Sequence, residues 1–222
     1  GEQRLLPTAE VIDSEGAAAI TTFPCYQVHE LDSVNLLDVG GVDGGGREFY
    51  GESFSPNKPT RTFTFSTPNA VTTDATLFNI AVAASSGRSS NFKFTLNGSS
   101  NSVRLDSISV SDFYTKAQLA SSNKSYPTVA DKQKVEITYS APVVGANGYL
   151  NYIELTTTCQ LAMVGSQMTF RTSANNNMEV PMLFTLTNAT SATEVWNITD
   201  KTNIHRMPTT LSGSTLTFTG TN

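Results

Sequence analysis

The sequence is poor in charge, and its few basic residues are scattered. Charged residues make up 15% of the 222 residues, and the formal net charge is −5 at pH 7. A nucleic-acid-binding protein needs clustered Lys and Arg to displace counterions from phosphates, so we expect no nucleic-acid partner. No apolar run approaches the roughly 20 residues that cross a bilayer, and we expect no membrane span in this segment. Residues 1–20 lack the basic and apolar parts of a signal peptide, so we expect any export signal to have been removed.

Cysteine and histidine are also scarce, with two residues of each. An even number of cysteines in an exported protein permits a disulfide, here between Cys25 and Cys159, without establishing it. Two buried thiols are the alternative. The sequence lacks the C-x-x-C and H-x-x-x-H spacings that are typical of zinc sites. We therefore expect no bound metal and no cofactor.

What the sequence has in abundance is threonine, which occurs 31 times. β-branched residues favour pleated strands, and Ser, Asn and Gly favour the turns between them. This composition is typical of an all-β extracellular protein. The length is sufficient for one large domain or two small ones.

Alternation of apolar and polar residues predicts a series of short strands. The clearest is 91–96, which is followed by an Asn-Gly hairpin turn at Asn97. The mostly apolar run 75–84 predicts a strand that is buried on both faces. A short helical turn is predicted only near 113–120. Further stretches with the period of a strand are 61–65, 103–110, 135–139, 149–155, 182–186 and 216–218.

Strands that recur about every 8–12 residues favour a sandwich or barrel over a parallel α/β fold, which would need amphipathic helices. We predict an all-β fold with a jelly-roll-like β-sandwich at residues 46–171. Residues 1–45 are predicted to form an irregular lead-in with a Gly-rich connector. Residues 172–222 are predicted either to add strands to the sandwich or to begin a second β module.

The two cysteines and two histidines make a cysteine–histidine peptidase pair arithmetically possible. However, Cys25 and His29 lie in the irregular lead-in, and Cys159 follows a threonine run at a strand end. Neither cysteine has the small-residue elbow or helix start that activates a thiol. We therefore expect no catalytic residue in this segment, with structural thiols and with His29 and His205 at the surface. A glycosidase pair of carboxylates has no support either, since the sequence does not show which two converge.

The Gly-rich stretch at residues 40–46 is a second place to look for a ligand site. Asp38 and Asp43 could offer oxygen atoms to Ca²⁺, which takes about 6–8 of them, but their spacing fits no calcium loop. The stretch also lacks the Lys-Ser/Thr ending of a phosphate-binding loop. We expect a solvated connector there.

Aromatic side chains are a third possibility, because exposed rings can stack on the apolar faces of sugars. Most large aromatic residues in a sandwich are core residues that bury about 150–250 Å² each. For Trp196, which lies in the compact apolar group 195–198, we expect burial in the core. The aromatic candidates are Tyr26, Tyr50, Tyr126, Tyr149, Tyr152 and Trp196.

Five ordered motifs carry a resemblance to a known family. They are YQVHELDSVNL at 26–36, GREFYGE at 46–52, GYLNYIEL at 148–155, GSQMTFRT at 165–172 and VWNITD at 195–200. Together they resemble the region upstream of the catalytic domain in gingipain-like cysteine peptidases, especially the sortases of the type IX secretion system. The resemblance spans about residues 26–200.

The chain also departs from the family's pattern. Phe49 stands where the family usually has Trp, residues 42–45 look inserted, and VWNITDKTN replaces a more typical VWDVTDP. The family's catalytic His and Cys lie in a caspase-like domain further along the chain, and no motif of that domain occurs here. No catalytic residue is therefore carried over.

The resemblance implies a place at the outer surface of Bacteroidetes-type bacteria, where such sortases remove a C-terminal sorting domain from cargo and attach the cleaved end to an anionic lipopolysaccharide. This segment would then be an accessory domain that supports the catalytic domain of its own parent chain or contacts secretion components or cargo. The alternatives are a free-standing carbohydrate-binding β-sandwich and an adhesin-type surface module. Exposure of Trp196 and the tyrosines would favour a binding module.

Overall fold

The computed structural model describes residues 7–13, 15–37, 47–109, 111–112, 114–172 and 181–220. Within these ranges the chain forms strands and turns but no helix, which confirms the all-β prediction. The strands are β1 Ala18–Ile20, β2 Thr22–Glu30, β3 Ser53–Phe54, β4 Thr60–Thr67, β5 Ala75–Ser85, β6 Ser90–Leu96, β7 Ser99–Leu105, β8 Gln118–Pro127, β9 Asp131–Ser140, β10 Asn147–Gln160, β11 Met182–Leu186, β12 Trp196–Asn197, β13 His205–Arg206, β14 Thr210–Ser212 and β15 Thr215–Gly220.

The chain divides into two compact units. One is Cys25–Thr158, and the other combines Gly1–Pro24 with Cys159–Asn222. The second unit is therefore built from two stretches that are far apart in sequence. The division into domains 1–45, 46–171 and 172–222 stays a prediction.

The unit Cys25–Thr158 is a β-sandwich of two sheets. One sheet has the strand order β2-β10-β5-β8, with β3 paired to β10, and the other has the order β4-β9-β6-β7. Their inward side chains form one core, which includes Phe54, Phe78, Ile80, Phe92, Phe94, Leu96, Val135, Ile137, Tyr139, Leu150, Ile153 and Leu155.

Strand β6 shows why the alternating sequence folds in this way. Phe92, Phe94 and Leu96 point into the core and are at most 1% exposed. Asn97 and Gly98 then adopt φ angles of 51° and 89°, which matches the predicted hairpin turn into β7. Asn tolerates this left-handed conformation better than most residues, and Gly has no Cβ to oppose it.

A buried polar network fixes the end of this hairpin. The Nδ2 of Asn97 donates hydrogen bonds to Gln133 Oε1 at 2.6 Å and to the carbonyl of Pro127 at 3.1 Å. Gln133, which is fully buried, donates from Nε2 to Thr67 Oγ1 at 2.8 Å and to the carbonyl of Val129 at 2.7 Å. A buried amide is tolerated because its hydrogen-bonding groups have partners.

The second unit contains a four-stranded sheet of order β1-β11-β15-β14 and a two-stranded ribbon of β12 and β13. Strand β1 runs parallel to β11, whereas β11, β15 and β14 are antiparallel neighbours. Phe184 and Phe218 stack in its core with ring centroids 4.8 Å apart. The core residues are Leu161, Met182, Phe184, Leu186, Ala189, Val195, Met207, Leu216 and Phe218.

Several local predictions were wrong. The run 75–84 is not buried on both faces, because Leu77 is 42% exposed and the strand alternates over most of its length. The predicted helical turn near 113–120 overlaps the start of β8, and the strand predicted at 103–110 ends at Leu105. Strands β1 and β2 were not predicted. In β2 no side chain is fully buried, so the strand lacks the apolar alternation that would reveal it.

Candidate functional site

Two of the sequence motifs lie side by side in the sandwich. The amide of Gly51 donates a hydrogen bond to the carbonyl of Leu150 at 2.7 Å, and the amide of Leu150 donates to the carbonyl of Glu52 at 2.9 Å. Further along, Phe54 of β3 pairs with Gly148 of β10. The motifs at 46–52 and 148–155 therefore build one piece of sheet.

Their glycines are required by close packing. A Cβ added to Gly148 would lie 2.5 Å from Cζ of Phe92 and 3.0 Å from Cγ of Tyr139, both of which are core residues. A Cβ on Gly51 would lie 2.8 Å from the carbonyl oxygen of Leu31. The distances of 2.5 and 2.8 Å are shorter than real Cβ contacts, so these motif positions serve the fold.

The two histidines considered for catalysis contact other groups of the fold. The Nε2 of His29 lies 2.9 Å from Glu52 Oε1, and its ring contacts Phe63 with centroids 4.7 Å apart. His205 Nδ1 lies 3.2 Å from the carbonyl oxygen of Asn203.

The two cysteines also lie in structural settings. Gln27 Nε2 donates to the sulfur of Cys25 at 3.6 Å. Cys159 is fully buried. A disulfide between Cys25 and Cys159 and a pair of thiols stay the two alternatives.

The outer surface of the five-stranded sheet carries a group of exposed large side chains. Tyr26 and Val28 of β2 are 55% and 51% exposed, and Leu119 of β8 is 53% exposed. Leu77 of β5 and Tyr152 of β10 point to the same side of the sheet, since their strand neighbours face the core. We call this surface the apolar face. It consists of Tyr26, Val28, Leu77, Leu119 and Tyr152, together with the polar side chains of Asn79, Ser121, Asn123, Ser125 and Glu154.

The polar residues of the apolar face hold its tyrosines in place. The hydroxyl of Tyr26 donates to Glu154 Oε1 at 2.6 Å, and Asn79 Nδ2 donates to Glu154 Oε2 at 2.7 Å. The hydrogen bond to the Glu154 carboxylate raises the pKa of Tyr26, because ionisation would place two negative charges together. The carboxylate thus joins β2, β10 and β5 across the sheet.

The outer surface of the other sheet of the sandwich, which has the order β4-β9-β6-β7, is polar. A shallow depression of about 360 Å³ on this sheet is lined by Asn91, Lys93, Ser100, Asn101 and Ser102. The exposed outward side chains of this polar face are Thr60, Thr62, Thr64, Ser66, Lys93, Ser100, Ser102, Arg104, Lys132, Lys134 and Ser140. An antiparallel sheet with one solvated face has this pattern.

Trp196 lies in the second unit and is 51% exposed, so the prediction that it belongs to the core was wrong. Strand β12 pairs with β13 in such a way that Trp196 lies opposite Arg206. Its neighbour Val195 is buried instead, because successive residues of a strand face opposite sides. The sequence showed the apolar group 195–198 but not which of its members face outward.

The other aromatic candidates divide between core and surface. Tyr50 and Tyr126 are buried, whereas Tyr149 and Tyr152 are half-buried and Tyr26 is exposed. Burial raises the pKa of Tyr126. The exposed aromatic residues were therefore present among the candidates, but only the strand assignment separates them from the core.

The expected calcium ligands Asp38 and Asp43 lie outside the described residues. Among the residues that are described, no group of three or more His, Cys, Asp or Glu side chains is placed to hold a metal ion. In the same part of the chain, no helix is long and apolar enough to cross a membrane.

Comparison with known proteins yields similarity to solved structures. No protein-family model matches the sequence, and no curated protein matches it. The fold is similar to part of the crystal structure of dimeric latent PorU from Porphyromonas gingivalis, with a TM-score of 0.80 and 20% sequence identity over 97% of this chain. The chain spans 20% of that PorU chain. The resemblance to a PorU-like region is thus confirmed at the level of the fold.

Two carbohydrate-binding modules of the CBM36 type align much less well. One belongs to a multidomain xylanase from the hindgut metagenome of Trinervitermes trinervoides, with a TM-score of 0.36, 11% identity and coverage of 67% of this chain and 98% of that one. The other is a CBM36 in complex with calcium and xylotriose, with a TM-score of 0.34, 10% identity and coverage of 61% and 99%. Similarity at this level carries no argument about function.

Proposed function

We propose that this chain is a non-catalytic accessory β-domain of a longer cell-surface cysteine peptidase, of the sortase kind that processes cargo of the type IX secretion system. The similarity to part of PorU over 97% of the chain supports this proposal, as does the fact that the chain spans a fifth of PorU. By the same likeness, the parent protein is exported and acts at the outer surface of a Bacteroidetes-type bacterium.

The apolar face is the observation that carries the accessory role. Exposed apolar patches on soluble domains mark contact surfaces, whereas single exposed apolar residues do not. Here Tyr26 and Val28 of β2 share a sheet surface with Leu77 of β5, and Glu154 of the intervening strand β10 joins Tyr26 to Asn79. Leu119 of β8 lies further along the same surface. The polar face of the same sandwich serves as the internal contrast. We assign the apolar face to contact with the catalytic domain of the parent chain.

A supporting role also agrees with the surroundings of the potential nucleophiles. A catalytic imidazole has to reach the nucleophile that it activates. The Nε2 of His29 is instead directed to Glu52, and its ring packs on Phe63. The motifs that resemble the peptidase family build sheet in this unit and need their glycines for packing. These features favour a scaffold over an active site.

Hydroxyl-radical footprinting of the full-length parent protein tests this assignment. We expect Tyr26 and Leu119 to be labelled much more slowly than Tyr114, which is 81% exposed, because the catalytic domain covers the apolar face. Leu119→Glu should raise the labelling of Tyr26, and the matched change Thr62→Glu on the polar face should not. Equal labelling of Tyr26 and Tyr114 in the unchanged parent would contradict the proposal.

The alternative is a free-standing carbohydrate-binding or adhesin-type β-sandwich at the surface. The exposure of Trp196 favours it, because mainly buried aromatic residues were expected for the accessory role. The downstream sequence of the native gene distinguishes the accessory role from this alternative. A downstream domain with paired His and Cys supports the accessory role, and further β repeats support the alternative.

A further inference from the structure

We propose that Trp196, Glu194 and Arg206 form a binding site for an uncharged pyranose oligosaccharide, with one sugar ring stacked on the exposed face of the indole. This site lies in the unit that contains Cys159–Asn222. The proposal goes beyond the accessory role and does not rest on it. A glycan site is compatible with an accessory domain as well as with a free-standing module.

The fold directs Trp196 outward. The amide of Met207 donates to the carbonyl of Val195 at 2.9 Å, which holds β12 against β13. Val195 and Met207 are both buried in the core of this unit. The next residues on the paired strands, Trp196 and Arg206, therefore lie on the opposite, solvent-facing side.

Hydrogen bonds fix the orientation of the indole. Its Nε1 donates to Glu194 Oε2 at 3.2 Å, and Glu194 Oε1 lies 3.3 Å from Nη2 of Arg206. The indole has no other donor, so its remaining exposed surface is apolar. A ring held in this way loses little conformational freedom when a ligand binds.

The site offers what a sugar ring needs. A pyranose presents C–H groups on its face and hydroxyl groups around its edge, and an indole face provides a flat apolar surface for the former. For the hydroxyl groups, Glu194 accepts hydrogen bonds and the guanidinium of Arg206 has further N–H groups to donate. Both side chains are about half exposed, at 47% and 54%, so a ligand can reach them.

Charge selects an uncharged ligand. The carboxylate of Glu194 and the guanidinium of Arg206 form an ion pair, so the polar edge of the site has no excess of either sign. Trp and Arg are also enriched in protein interfaces, so a protein contact is the competing occupant that the measurements below distinguish from a sugar.

The loop between the two strands is also ordered by its own hydrogen bonds. The Thr199 amide donates to Asn197 Oδ1 at 3.0 Å, and the amide and hydroxyl of Thr202 donate to Asp200 Oδ1 at 2.8 and 2.7 Å. These turns hold the ribbon that carries Trp196. The platform therefore exists before any ligand arrives.

Tryptophan fluorescence tests the site directly, because Trp196 is the only tryptophan of the chain. The probes are three linear hexasaccharides, one of glucose, one of galactose and one of mannose. Each is added separately to the 222-residue chain. We expect at least one of them to give a saturable blue shift of the emission and to reduce quenching by acrylamide. Failure of all three probes to change either signal would overturn the proposal and leave the accessory role standing.

Variants locate the binding by calorimetry. Trp196→Ala should weaken binding of the active probe about a hundredfold, Trp196→Phe should retain part of it, and Glu194→Gln should weaken it about tenfold. Tyr114→Ala is the matched control, since it removes an exposed aromatic ring elsewhere. Circular dichroism confirms that each variant folds.

Two results would contradict the site. One is an unchanged affinity in folded Trp196→Ala. The other is a Trp196 emission that is already shielded from acrylamide in the full-length parent without sugar, which would assign this surface to a protein contact instead.

Discussion

The two compact units are built in different ways from the same kinds of residue. The sandwich is one continuous stretch, Cys25–Thr158, and its core lies between two sheets. The other unit needs two distant stretches, because β1 from the N-terminal part lies beside β11 from the C-terminal part. Its core involves a single four-stranded sheet with added loops and a ribbon.

This contrast shows that a domain built from two distant stretches is not evident from the order of strand patterns in the sequence. The sandwich unit has a contiguous pattern of strands that the sequence reveals, and the resembling motifs at 46–52 and 148–155 lie within it. The other unit becomes a unit only when its sheet forms. Equivalent substitutions in the two units should therefore show how much the core of each unit contributes to the stability of that unit.

The largest effects are expected from the removal of core rings. Phe184→Ala should destabilise the second unit by about 3–5 kcal/mol, and Phe78→Ala should destabilise the sandwich by a similar amount. Phe184 stacks on Phe218, and Phe78 is fully buried with its ring edge-on to Tyr126 at 5.6 Å. Hydrogen exchange should show loss of protection first in β11 and β15 for Phe184→Ala, and first in β5 and β6 for Phe78→Ala.

The same experiment tests whether the two units unfold independently. If Phe184→Ala removed protection from both units to the same extent, the two would unfold as one cooperative body, which would contradict independent stability of the units.

An intermediate effect is expected from adding one methyl group to a glycine in each unit. Gly148→Ala should destabilise the sandwich by about 2–3 kcal/mol, because the new Cβ meets Phe92 at 2.5 Å. Gly220→Ala should cost much less, since its Cβ would lie 3.5 Å from Phe184, an ordinary contact. Denaturant unfolding measures both variants, and an equal effect of the two would show that the Gly148 contact is not tight.

The smallest effect concerns two exposed aspartates, one in each unit. Hydrogen bonds from the hydroxyl and the amide of Thr202 lower the pKa of Asp200, and those from the amide of Tyr114 and from Thr115 lower the pKa of Asp112. A carboxyl group with a lowered folded pKa stabilises the fold above its unfolded pKa, and this contribution is lost as the pH falls through the folded value. The stability that each aspartate contributes is therefore lost as the pH falls below 3.8, the usual pKa of an aspartate.

NMR titration of the side-chain carboxyl carbons measures both groups. Thr202→Ala should raise the pKa of Asp200 toward its usual value and leave Asp112 unchanged. An Asp200 that titrates at or above 3.8 in the unchanged protein would contradict the turn geometry of the β12–β13 loop.

The sequence predicted the strands that bury one face in the core, because their alternating pattern is visible within a few consecutive residues. Phe92, Phe94 and Leu96 alternate because one face of β6 meets the core, and Asn97-Gly98 suits the turn that follows. The pattern at Met182, which begins β11, is of the same kind. In these places local residue pattern and tertiary environment agree.

The parts that escaped prediction depend on partners distant in sequence. Strand β2 has no fully buried side chain, so its identity as a strand comes from pairing with β10. Strand β1 is three residues long and gains its place from β11. Trp196 has the composition of a core segment around it, and only its cross-strand pairing with Arg206 makes it face solvent. The apolar face and the Trp196 site could therefore not be read from residue types alone.

We propose above that this chain is the accessory part of a longer peptidase. The most direct measurement is to sequence the native gene beyond the codon for Asn222. We predict an open reading frame that continues into a domain with paired His and Cys residues. A stop codon after Asn222, or a continuation made of further β repeats, would contradict the claim.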